Sequence, residues 1–158
     1  MIHAHKGFDG LQLELDVGAG TVIAAIIFED KATENARATV LAKVWPDFKA
    51  MEAGAEEHVL TAEVTSLLRT VPAVDADAAV EAILWNDVRR YRLAVTIDAA
   101  HADDTGRAGL FKGFDGVAPG DRDRRRGETF LAPNLRPWMQ HLAERSIAVI
   151  DQWAASNV

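Results

Sequence analysis

The chain has 158 residues, of which 49% are apolar and 26% charged, with a formal net charge of -7 and no cysteine. That length suits a single domain with one core, and the absence of cysteine excludes disulfides and thiolate metal sites. The sequence has no basic-then-apolar leader and no apolar run of about eighteen residues, so a cytoplasmic protein without a membrane span is expected.

The first element predicted is a hairpin. Leu11-Gln12-Leu13-Glu14-Leu15-Asp16 alternates strictly, Val17-Gly18-Ala19-Gly20 is turn chemistry, and residues 21–28 form an apolar run rich in Val and Ile. Asp9 stands at the start of the first strand, and Glu29-Asp30-Lys31 ends the second. In an antiparallel pair the start of one strand lies beside the end of the next, and strand side chains alternate. Glu29 and Lys31 therefore share a face, and Asp9 can reach them. Two converging carboxylates suit a hard divalent cation that keeps several waters. A lysine beside them can orient or deprotonate a water and offset charge on a phosphate.

Three helical segments follow. Residues 34–52 read as a helix interrupted at Pro46, and residues 56–70 carry apolar positions Val59, Leu60, Val64, Leu67 and Leu68 at helical spacing. Residues 77–88 form a third candidate, capped by Asp75 or Asp77. Tyr91, Leu93, Val95 and Ile97 then alternate as a strand, and the helices before it make a crossover long enough for parallel pairing. The glycine- and aspartate-rich stretch 101–130 reads as a long loop, with a possible short strand at residues 108–111. Residues 135–155 form a last amphipathic helix, with Trp138, Met139, Leu142, Ile147, Ile150 and Trp153 expected inward.

The Asp9…Glu29-x-Lys31 pattern resembles the PD-(D/E)xK nuclease superfamily, with Phe8 where that family often has proline. The resemblance implies an α/β fold with a restriction-endonuclease-like core, in which a mixed central sheet with a motif-bearing hairpin is flanked by helices. It implies Asp9, Glu29 and Lys31 as catalytic residues, Asp9 and Glu29 as ligands of Mg2+ or Mn2+, and DNA as substrate. More narrowly, the wording around residues 8–10, 29–33 and 109–111 is similar to nuclease subunits of bacterial anti-phage defence systems that act with a helicase. The family places a helix before the first motif strand, often with a further glutamate. Only eight residues precede Asp9, so that layer is expected from a segment missing from a shortened chain, or from another segment or protomer.

The net charge of -7 opposes a wide nucleic-acid grip, since such affinity comes from lysine and arginine neutralising phosphates. Two basic clusters are the candidates to supply it locally, Arg89 with Arg90 and Arg124 with Arg125 and Arg126. The partners expected are DNA, a helicase or other subunit, and a second copy of the chain. The competing readings are a non-catalytic interaction subunit that keeps the nuclease fold, and a small-molecule-binding protein whose ligand sits between the long loop and the sheet. Lys6-Gly7-Phe8-Asp9-Gly10 recurs as Lys112-Gly113-Phe114-Asp115-Gly116, with Asp115 expected in a turn. His3 and His5 are expected in solvent near the terminus, and His58, His101 and His141 have no metal-ligand spacing.

Overall fold

The computed structural model describes residues 8–84 and 88–156; His3 and His5 lie outside the described residues. Four strands among these form one mixed sheet in the order β1-β2-β3-β4, where β1 is Gly10–Asp16, β2 Thr21–Lys31, β3 Arg89–Ile97 and β4 Arg125–Leu131. The hairpin is antiparallel, with Gly10 opposite Phe28 and Asp16 opposite Thr21, while β2 to β3 and β3 to β4 are parallel. The four-residue turn depends on Gly20, whose φ of 69° is cheap only for glycine, and on Asp16, which accepts from the Ala19 N–H at 2.9 Å.

Between β2 and β3 the chain forms α1 (Ala36–Thr39), a π-helical turn (Val40–Val44), α2 (Trp45–Glu52), α3 (Glu57–Leu68) and α4 (Ala76–Leu84). The helix runs through the position where Pro46 was expected to interrupt it. The wide π turn, in which the Trp45 N–H bonds the Val40 carbonyl, precedes the proline, which then sits in the first turn of α2 where a missing donor costs little. Asp75 is the cap of α4, accepting from the Asp77 and Ala78 N–H groups at 2.9 and 3.1 Å.

The helices bury their apolar stripes on one sheet face. Ile27, Tyr91, Leu93 and Val95 meet Val40, Phe48, Leu60, Val64 and Ile83 there, all 2% exposed or less. The opposite face carries a lattice of ion pairs instead: Arg90 faces Glu14 and Asp123 at 3.5 Å each, and Arg92 faces Asp30 at 3.6 Å and Glu128 at 4.0 Å.

The expected loop 101–130 is mostly regular structure. It holds α5 (Asp104–Leu110), α6 (Phe114–Val117) and the start of β4. The Asp103 side chain caps α5 through the Gly106 N–H at 2.7 Å, and Leu110, Phe114, Val117 and Ala118 join the core. Burial of these four apolar residues overrides the poor helix propensity of the glycines, a cost of about 1 kcal/mol each. Residues 108–111 complete a helix rather than a strand, and Asp115 lies in the first turn of α6. The final helix, α7 (Leu135–Ser156), forms as expected, but its apolar face does not point inward: only Leu135 is buried.

Candidate functional site

Asp9 continues the hairpin ladder one step beyond β1, its N–H donating to the Phe28 carbonyl at 3.0 Å, which sets it beside Glu29. Its register is held by a close approach. The Phe28 ring lies directly over Gly10, where any side chain would collide, and the Arg92 guanidinium sits 4.8 Å from the centre of the same ring.

Glu29 occupies the inward side of β2 and is 3% exposed, one of two buried charged residues among the described ones. Lys31, two residues on, shares that side, and its side chain is 25% exposed. The Lys31 ammonium contacts the Glu29 carboxylate and also donates to Asp9 Oδ2 at 3.2 Å. Asp9 Oδ2 accepts a further bond from the Asp30 N–H at 2.8 Å. Beyond β2, Thr96 Oγ1 receives the Thr33 N–H at 2.7 Å and donates to the Thr33 carbonyl at 2.9 Å, which fixes the strand exit that aims Glu29 and Lys31.

The two acids are driven apart in proton affinity. Burial pushes the Glu29 carboxyl above its usual range, and the neighbouring Asp9 charge adds to this against the pull of Lys31. Burial also acts to raise Asp9, but the Asp30 N–H, the Lys31 ammonium and a hydrogen bond with Glu29 outweigh it and hold Asp9 low. Lys31 is raised: burial would discharge it, and its contacts with Glu29 and Asp9 prevail. The resting cluster is thus a charged lysine clasped by one ready carboxylate and one reluctant one.

A groove of about 390 Å3 opens beside Asp9, lined by Phe8, Gly10 and Leu11 from the hairpin and by His58, Val59, Ala62 and Glu63 from α3. His58 and Glu63 had no local signal, because they are brought to Asp9 by packing across some fifty residues. Among the described residues no group of three or more His, Cys, Asp or Glu side chains is placed to hold a metal ion. The donor set is therefore two carboxylates, hard oxygen ligands of the kind Mg2+ or Mn2+ takes one or two at a time while keeping its waters. They fit such an ion in place of the lysine ammonium that now bridges them.

Neither family models, nor curated proteins, nor solved structures match this chain.

The basic clusters have other occupations. Arg89 is 1% exposed and donates to the carbonyls of Met51 at 2.7 Å and Ile83 at 3.2 Å, closing helix ends against the sheet. Arg124 forms a two-pronged pair with Glu52, at 2.7 and 3.3 Å, and Arg125 donates to the Ala118 and Gly120 carbonyls. Arg90 lies in the ion-pair lattice of the open face. Arg126 has a side chain 75% exposed and pairs with Glu128 at 2.6 Å. Of the five arginines, Arg126 is the one whose side chain is mostly in solvent. His101 meets Asp98 at 3.2 Å, and no helix of the described residues is long and apolar enough to cross a membrane.

Proposed function

We propose that the chain is a metal-dependent nuclease of the PD-(D/E)xK type, acting on DNA with Mg2+ or Mn2+. The observation that carries the reading is the meeting of Asp9, Glu29 and Lys31, from the two arms of the hairpin and across twenty residues of chain, around a buried carboxylate. Burying a charge is costly, and a cluster of perturbed acids with one member lining a groove is a candidate for chemistry.

Each residue has a task in phosphodiester hydrolysis. Asp9, held ionised, is the acid ready to ligate at neutral pH. Glu29 holds a proton more tightly than an ordinary carboxyl, so ligation by it competes with protonation as pH falls. A divalent cation held by both would supply positive charge to the scissile phosphate and acidify a water. With both carboxylates engaged by such an ion, Lys31 would be free to turn its ammonium to a phosphate oxygen. Its raised proton affinity in the resting site makes it a donor of charge before it is a base. The wider setting we propose, anti-phage defence beside a DNA-handling subunit such as a helicase, follows from the same resemblance.

A second reading, a non-catalytic interaction subunit, is favoured by the engagement of Arg89, Arg124 and Arg125 inside the fold and by the net charge of -7. Incubation of plasmid and single-stranded DNA with the protein in Mg2+ or Mn2+ separates them. The nuclease reading expects cleavage that Glu29→Gln and Asp9→Asn each reduce by orders of magnitude with the fold retained. Cleavage of neither DNA, or undiminished cleavage by Glu29→Gln, leaves the interaction subunit.

A further inference from the structure

Among the described residues, the side chains of α7 beyond Leu135 are exposed. Its 22 residues extend about 33 Å at 1.5 Å per residue, and Leu135 alone is buried. Trp138, Met139, Leu142, Ile147, Val149 and Ile150 are each 45% exposed or more. Helical spacing gathers them, with Trp153, on one half of the helix, while Gln140, His141, Glu144, Asp151 and Gln152 take the other. An apolar patch of this size marks an interface.

We propose that the stripe is where a second copy of this chain docks, the two α7 helices lying antiparallel about a twofold axis at Ser146. The pattern around Ser146 is its own complement. This small residue lies in the middle of the apolar half, and turning the helix end for end about it sets Leu142 on Ile150 and Met139 on Trp153. Large then meets small at the margins, Trp138 on Ala154 and Val149 on Ala143. An isologous contact requires such self-matching of one patch. Charge agrees: Arg145 falls on Ile147, Glu144 on Ala148 and His141 on Asp151, so no like charges face one another. A parallel pair in register would stack Trp138, Glu144 and Arg145 each on its own copy. Six large side chains from each copy, at roughly 60 to 100 Å2 apiece, remove on the order of 1,000 Å2 from water, the lower bound for a specific interface.

Sedimentation of the full chain tests the docking, and cross-linking tests its direction. A dimer with a dissociation constant on the order of micromolar is expected, lost in Leu142→Glu/Ile150→Glu while the circular dichroism of the body is kept. The natural chain has no cysteine, so Leu142→Cys and Ile150→Cys chains, mixed and oxidised, report the pairing. The mixture should cross-link and each variant alone should not. A monomer at every concentration, or a glutamate variant that still dimerises, overturns the proposal. Efficient cross-linking of Leu142→Cys to itself overturns the antiparallel arrangement.

Discussion

Replacing Lys31 by methionine keeps most of the length of the side chain and removes the cation that compensates Glu29. The side chain of Glu29 is only 4% exposed, and the Lys31 ammonium stands against it. Removing one partner of a fully buried pair costs about 3–5 kcal/mol, because the survivor is left charged without compensation. Lys31 is a quarter exposed and Asp9 more so, and water reaching that side discounts the cost to about 2 kcal/mol at pH 8. The cost depends on pH. Glu29 binds its proton more tightly in the folded protein than unfolded, so its contribution is favourable at low pH and is lost as pH rises through the raised folded value. Lys31→Met raises that value further, so the variant should be nearly as stable as the parent at pH 5 and clearly weaker at pH 8. Adding Glu29→Gln removes the charge itself, and the double variant should recover most of the loss, with a coupling of about 1–3 kcal/mol in the cycle. Urea unfolding of the four proteins at the two pH values measures this, and a loss of about 2 kcal/mol lowers the melting temperature by roughly 4–8 °C for a chain of this size. Equal stability of parent and Lys31→Met at pH 8, or the same loss at pH 5 and pH 8, would refute the buried clasp.

The site's protonation can be read directly: carboxyl NMR titration should find Glu29 above and Asp9 below ordinary carboxylate values, and two ordinary values would mean the acids are apart and solvated. For the same reason, affinity for Mn2+ should fall as pH drops through the raised Glu29 value, whereas an affinity flat in pH would show that Glu29 is not a ligand. The arginines should divide by burial. Arg124→Ala, which strands the half-buried Glu52, should destabilise by about 1–3 kcal/mol in urea unfolding, while Arg126→Ala should leave stability within about 0.5 kcal/mol and weaken binding to DNA in a fluorescence titration. An equal effect of the two on both measurements would mean that their placement is misjudged.

Much of the sheet was legible because its strands obey simple alternation. Leu11, Leu13 and Leu15 face in, as do Tyr91, Leu93, Val95 and Ile97, and the turn between β1 and β2 is written in its glycines. The meeting of Asp9 with Glu29 and Lys31 follows from that hairpin alone. What escaped depends on tertiary context. β4 begins Arg-Arg-Gly-Glu, which carries no strand signal, and it is an edge strand recruited by parallel pairing to β3. The glycines of α5 and α6 suggested a loop, and only the burial of Leu110, Phe114 and Val117 shows why those helices hold. Arg89 looked like a surface cation in a basic run, yet the first residue of β3 falls where the carbonyls of Met51 and Ile83 need a donor. The amphipathic pattern of α7 was visible, but periodicity says only that one face is apolar, not what it meets.

In the proposed nuclease, Asp9 and Glu29 form a divalent-cation site from which Lys31 is displaced. Anomalous diffraction from crystals of the protein soaked in Mn2+ tests this. A manganese peak about 2.1 Å from an oxygen of each carboxylate, with the Lys31 ammonium moved off both, is the predicted result. Clear density for both side chains with the lysine still between them and no manganese peak would contradict it.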